Sequence, residues 1–210
     1  MTNPLHRGLY AITDPELLDA DCLIPSVEQA LLGGCRVVQY RDKPATEIER
    51  LQRARSLQSL CQQYGAQLII NDDPDLCRRS QAHGVHLGKS DGNIIEARRM
   101  LGPDRILGVT CHSDLVYAQR CIEAGVDYCA FGRMFPSLTK PKAPACPPEV
   151  IPAALKLAVP IVAIGGINLD NMPSLMHTSI QHVAVIHGLF GQKDIQTRAQ
   201  QFQHFFSHAE

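Results

Sequence analysis

The feature that most constrains this chain is a rhythm. Short runs rich in Val, Ile and Leu recur along its length: GLYAITD (8–14), RVVQYRD (36–42), AQLIIND (66–72), GVHLG (84–88), ILGVTCH (106–112), DYCAFGRMF (127–135), PIVAIGG (160–166) and HVAVIHGLF (182–190). Runs that stay apolar, rather than alternating with polar residues, mark strands buried on both faces, as in a parallel sheet covered by helices. Between them lie stretches with helical spacing. The clearest runs from Ala45 to about Tyr64, where Ile48, Leu51, Leu57, Leu60 and Cys61 draw one apolar stripe and Thr46 with Glu49 forms a capping box. Further helices are expected over 74–82, 93–101, 113–124 with Ser113 as N-cap, 147–157, 169–178 and 194–207.

Strict strand–helix alternation at this length permits a closed barrel or an open doubly wound sheet. The first run carries no G-x-G-x-x-G turn, so a closed (β/α)8 TIM barrel of the α/β class is expected. With 210 residues, 45% of them apolar, the chain can bury a sizeable core, and one domain over 1–210 is the simplest arrangement. The Pro-rich stretch 141–148 reads as a long loop after the sixth strand.

Charge and cysteine usage narrow the function classes. Twenty basic residues against 21 acidic ones leave a formal net charge of −1, which offers no general field for nucleic acid or an anionic membrane. Any anion binding must then be local, and a homo-oligomer is left open. The opening MTNPLHRGLYAITD has no apolar segment of signal-peptide length, so a cytoplasmic protein is expected. The eight cysteines form no C-x-x-C pair, which argues against a disulfide framework or a structural zinc site.

In a TIM barrel the chemistry sits at the C-terminal ends of the strands, and polar residues cluster there in this sequence. After the second strand comes Gln39-Tyr40-Arg41-Asp42-Lys43, in which alternation puts Gln39, Arg41 and Lys43 on one side. The third strand ends in Asn71-Asp72-Asp73-Pro74. Asp73 before Pro74 is accounted for as the N-cap of the next helix, which leaves Asp72 without a structural duty. The fourth strand runs on to Asp91, a second carboxylate on the neighbouring loop. Two such carboxylates beside Arg and Lys suit an octahedral Mg2+ that keeps waters and takes phosphate oxygens, although capping of helices or turns would also account for them.

The fifth strand ends in Thr110-Cys111-His112, and the sixth leads into Ser137-Leu138-Thr139-Lys140, where two hydroxyls and an ammonium could hold phosphate oxygens or simply face solvent. Gly165-Gly166 and Ile186-His187-Gly188 end the last two strands, the place of the usual phosphate cradle of this fold, though glycines also serve tight turns. His86 lies within the fourth strand as a core residue or a ligand, and no H-E-x-x-H or G-x-S-x-G motif is present.

The segments YAITD, VVQYRDK, IINDD, GVHLGKSDG, GVTCHS, DYCAFGRMFPSLTKP and VAIGGI, in this order and spacing, resemble the thiamine-phosphate synthase family over nearly the whole chain. The resemblance implies a transferase that joins 4-amino-2-methyl-5-(diphosphooxymethyl)pyrimidine to 4-methyl-5-(2-phosphoethyl)thiazole, releasing pyrophosphate and using Mg2+. Carried onto this sequence, it implies that Gln39, Tyr40, Arg41, Asp42, Lys43, Asn71, Thr110 and Lys140 bind the pyrimidine diphosphate. Asp72 and Asp91 would hold Mg2+, while Ser137, Leu138, Thr139, Gly166, Ile186 and His187 would surround the thiazole phosphate. The implied mechanism is dissociative, with Arg41, Lys43 and Lys140 stabilising the leaving group electrostatically.

The sequence departs from the family pattern at several positions. Thr110 and Ser137 exchange one hydroxyl residue for another, whereas His187 stands where Ser is usual and Arg133 where Pro is common. Two alternatives share the barrel: a thiazole tautomerase, for which His112 would move the proton, and a non-catalytic barrel that binds thiazole or thiamine phosphate. Retention of the metal and leaving-group residues favours the synthase over both.

Overall fold

The computed structural model describes residues 5–89, 91–137 and 144–207. Eight strands run in chain order around a closed barrel: β1 (Gly8–Ile12), β2 (Val37–Tyr40), β3 (Gln67–Asn71), β4 (Gly84–Leu87), β5 (Ile106–His112), β6 (Tyr128–Phe131), β7 (Ile161–Ile164) and β8 (His182–Val185). Neighbours are parallel throughout, and β8 closes on β1 with Ala184 opposite Tyr10. Around them lie α1 (Leu23–Leu32), α2 (Glu47–Gln63), α3 (Pro74–Ser80), α4 (Ile94–Leu101), α5 (Leu115–Glu123), α6 (Val150–Ala154), α7 (Met172–Met176), α8 (His187–Phe190) and α9 (Ile195–Ser207).

The continuity of the apolar runs follows from two cores on opposite faces of the same sheet. Leu9, Val38, Leu68, Val85, Leu107, Cys129 and Val183 pack outward against the helices. Their alternates, Tyr10, Val37, Ile69, Ile106, Tyr128, Val162 and Ala184, fill the barrel interior. Strand periodicity of two thus divides each run between two layers, both of which exclude water. Toward the C-terminal ends the inward positions turn polar, at Gln39, Asn71, His86 and Thr110, and the interior opens into a cavity.

Local capping agrees with the sequence at α2 and α3. Thr46 and Glu49 cap α2 reciprocally, and Asp73 accepts a hydrogen bond from the Leu76 amide at 2.8 Å with Pro74 at the first turn of α3. Elsewhere the expectations need correction. Asp114, not Ser113, caps α5, accepting from the Tyr117 amide at 2.8 Å. The run 182–190 is strand only to Val185, after which residues from His187 form α8, and β6 stops at Phe131. In α2 the buried face is Ala54, Leu57, Gln58 and Cys61, with Leu60 beside it, while Ile48 is 72% exposed. At about 100° per residue Ile48 sits roughly a third of a turn away from Ala54, so it leaves the face that meets the barrel. Helix α1, for which the sequence offered no bounds, begins at Leu23, and Cys22 before it makes no side-chain cap bond.

Candidate active site

A cavity of about 490 Å³ opens at the C-terminal end of the barrel. Its walls carry Gln39, Arg41 and Lys43 after β2, Asn71 and Asp72 after β3, Asp91 after β4, Thr110 and His112 from β5, Ser137, Gly166, Ile186 and His187. The residues singled out from seven strand ends therefore meet in one place. Leu138, Thr139 and Lys140 lie outside the described residues.

The loop after β2 is held from two sides. On the cavity side the Thr13 hydroxyl accepts from the Arg41 amide at 2.9 Å, and the Arg41 guanidinium lies 3.8 Å from the buried carboxylate of Asp14. On the helix side the Tyr40 hydroxyl donates to Asp42 Oδ2 at 3.1 Å, and Arg53 of α2 pairs with the same oxygen at 2.5 Å. Tyr40 and Asp42 thus face a separate crevice that also touches Arg50 and Leu76. Alternation along the strand turns their side chains away from the cavity, contrary to the expectation that they belong with Gln39, Arg41 and Lys43. Their place is to anchor the stretch of chain that presents the two cations. Thr13 and Asp14 went unassigned in the sequence, although Asp14 ends a run whose continuation the barrel aims at Arg41.

At the acidic end, Lys43 Nζ lies 3.0 Å from Asp72 Oδ2, and the Asp91 carboxyl stands within hydrogen-bonding reach of Asp72. Burial raises the pKa of Asp72, but the hydrogen bond and charge of Lys43, with bonds involving Asp91 and Asn71, outweigh it and hold the carboxyl below the usual range. Asp72 takes a backbone φ of 64°, which turns it out of the strand direction. Gly88 makes room for Asp91: a Cβ there would come within 2.1 Å of Asp91 Oδ2. Two converging carboxylates, one of them paired with a lysine, suit a divalent cation. Among the described residues no cluster of three or more His, Cys, Asp or Glu side chains could hold a metal, so the remaining ligands would have to be waters or oxygens of a bound anion.

The opposite end of the cavity is built by the β7 and β8 loops. Gly166 has a φ of 65°, and a Cβ on it would meet the Pro136 carbonyl oxygen at 2.2 Å, so only glycine lets the β6 and β7 loops lie this close. Asn171 ties the β7 loop together, donating to the Gly166 carbonyl at 2.9 Å and accepting from the Asn168 amide at 2.9 Å. His187 opens α8 and folds its ring back over Gly191. The cavity also reaches Arg198 of α9, which donates to Gln192 at 2.7 Å. Nothing in the local sequence around Arg198 distinguishes it from an ordinary surface residue of an amphipathic helix.

Residues 9–189 match the sequence profile described as thiamine monophosphate synthase. The chain belongs to the thiamine monophosphate synthase family. A thiamine-phosphate synthase from Marinobacter nauticus is 52% identical over 205 residues, covering 97% of this chain and 92% of that protein. One from Alcanivorax borkumensis is 53% identical over 194 residues, covering 91% and 89%. The thiamine phosphate pyrophosphorylase structure from Pyrococcus furiosus superposes with a TM-score of 0.88 at 30% identity, covering 99% of this chain and 98% of that one. Family membership makes the chain a transferase of thiamine biosynthesis.

Proposed function

We propose that the chain condenses 4-amino-2-methyl-5-(diphosphooxymethyl)pyrimidine with 4-methyl-5-(2-phosphoethyl)thiazole, giving thiamine phosphate and pyrophosphate. The observation that carries the reading is a single cavity with an acidic corner, in which Lys43 pairs with Asp72, at one end and glycine-lined loops at the other. Such a cavity suits two phosphorylated reactants held with their reacting atoms between the two ends.

Asp72 and Asp91 would hold Mg2+, which would add positive charge beside the oxygens of the departing diphosphate. Arg41 and Lys43 line the same corner, with Asp14 and Asp72 holding them in place before substrate arrives. Lys140 joins them on the strength of the family resemblance. The bonding pair of the C–O bond leaves with pyrophosphate, and the thiazole nitrogen then donates its lone pair to the pyrimidine methylene carbon. Preorganised cations are most useful in such a step, since negative charge grows on the leaving oxygens as the bond stretches. No protein nucleophile is needed. Gln39, Asn71 and Thr110 would orient the pyrimidine, and Ser137, Leu138, Thr139, Gly166, Ile186 and His187 the thiazole phosphate.

Purified protein given both substrates should form thiamine phosphate and pyrophosphate in equal amounts, only with Mg2+ present. Asp72→Ala should lower kcat by about 100-fold or more while leaving the circular dichroism spectrum unchanged. Folded wild-type protein that makes neither product would overturn the assignment, and interconversion of thiazole phosphate isomers instead would move the chemistry to His112.

A further inference from the structure

On the floor of the cavity a chain of five side chains crosses the barrel interior. Gln39 Nε2 donates to the Tyr10 hydroxyl at 2.8 Å, and the Tyr10 and Tyr128 hydroxyls are 2.8 Å apart. The Tyr128 hydroxyl is 2.8 Å from His86 Nδ1, and His86 Nε2 is 2.8 Å from Thr110 Oγ1. All five side chains line the cavity, Gln39 and Thr110 at the two ends of the chain, with Tyr10 and Tyr128 no more than 2% exposed.

Proton counting gives this chain a direction. Each tyrosine hydroxyl has one hydrogen to give. If Tyr10, which receives from Gln39, gives its own hydrogen to Tyr128, then that of Tyr128 goes to His86 Nδ1. The imidazole is then neutral with its hydrogen on Nε2, which it donates to Thr110. Thr110 Oγ1 then accepts from His86, which leaves the hydroxyl hydrogen available for donation to a ligand in the cavity. The opposite polarity would require the Gln39 amide to turn over, so that its oxygen accepts from Tyr10 and its NH2 faces the cavity. Gln39 and Thr110 are therefore coupled, since one presents an acceptor whenever the other presents a donor. Burial raises the pKa of both phenols, which keeps the hydrogens on the chain at neutral pH.

We infer that Tyr10, Tyr128 and His86 are positioning residues that set the hydrogen-bond polarity of the substrate-binding floor, fixing Gln39 Oε1 as acceptor and the Thr110 hydroxyl as donor. This floor reads a ligand edge that carries an amine beside a ring nitrogen, and it rejects one that carries a carbonyl beside a ring N–H. The aminopyrimidine of the proposed reaction has the first pattern, so the assignment of this edge rests on that reading. A 4-oxo pyrimidine diphosphate has the second, and binding it demands reversal of all five groups together.

Two measurements test the inference. In the wild-type protein without ligand, 15N NMR of the imidazole, assigned by loss of the signal in His86→Gln, should show the Nε2–H tautomer. A predominant Nδ1–H tautomer or an imidazolium at pH 7.5 would overturn the polarity, whether or not the protein proves to be a synthase. In the second, kcat/KM is compared for the 4-amino substrate and its 4-oxo analogue. Tyr128→Phe and Tyr10→Phe keep the ring volume and break the chain, and each should cut the amino-over-oxo preference at least tenfold. Retention of the full preference by both folded variants would show that the chain sets no polarity. Absence of synthase activity in the wild type would remove the proposed reaction, while the tautomer result would still decide the chain itself.

Discussion

Single residues decide whether the barrel floor can assemble, and Gly108 is the sharpest case. In the sheet register Gly108 of β5 stands between His86 of β4 and Tyr128 of β6. With no side chain in the way, the two rings stack across it at 5.5 Å between centroids. A Cβ at this position would come within 1.9 Å of the Tyr128 ring. Gly108→Ala should therefore displace Tyr128 and destabilise the protein by about 1–3 kcal/mol, the usual cost of overpacking, as read from urea unfolding. An unchanged denaturation midpoint would mean that the ring moves aside freely. The sequence showed Gly108 only as one more residue of an apolar run, because the partners that need its empty volume lie on two other strands.

At the scale of elements, α9 closes the ring by clasping its first turn of chain. Gln203 accepts from the Leu9 amide of β1 at 2.8 Å and donates to the Gly34 carbonyl at 2.6 Å. A Cβ at Gly33 would meet Ala199 at 2.5 Å, so α9 lies tight against the turn that follows α1. Gln203→Ala should leave the Leu9 amide without its acceptor and lower stability by about 1–3 kcal/mol, checked by chemical denaturation. The loop after β2 makes a second test. Arg53→Ala removes the partner of Asp42 on the helix side, and kcat/KM should fall about tenfold through misplacement of Arg41 and Lys43 even though Arg53 lies outside the cavity. If kcat/KM holds, the strand end alone positions the cations.

For the whole molecule, titration and thiol chemistry report how completely the cores exclude water. Burial lowers the pKa of His182 and His83 below the ordinary 6.5, so both are neutral when folded. His83 Nδ1 also accepts from the Leu68 amide at 3.1 Å, a bond that a proton on that nitrogen would abolish. Above pH 6.5 neither residue binds a proton in either state and no penalty exists. As the pH falls below 6.5 the unfolded chain takes up protons that the folded one refuses, and stability declines. Melting temperatures should thus drop between pH 6.5 and 5.5, with a smaller drop in His182→Gln. Seven of the eight cysteines are buried and Cys22 is exposed. Burial pushes the thiols of Cys35 and Cys61 up to about 11 and about 12. One thiol should react with a disulfide reagent in the native protein and eight after denaturation. Among the described residues no helix is long and apolar enough to cross a membrane.

The amino-acid order by itself determined the barrel, because an uninterrupted apolar run repeated with helices between has few ways to bury both faces of every strand. It also marked the strand ends where Gln39, Arg41, Lys43, Asn71, Asp72, Asp91 and Thr110 gather, since polar residues closing apolar runs fall at one rim of such a fold. Strand alternation already separated Gln39, Arg41 and Lys43 from Tyr40 and Asp42, but tertiary structure alone decided which of the two sides turns inward. Tyr40 and Asp42 sit among those residues in the chain yet face α2, and Tyr10, Tyr128 and His86 lie inside apolar runs yet join into one polar chain. The physical reason is the same in both cases: a hydrogen bond between strands depends on register and on which face is enclosed, and a barrel sets both only when it closes.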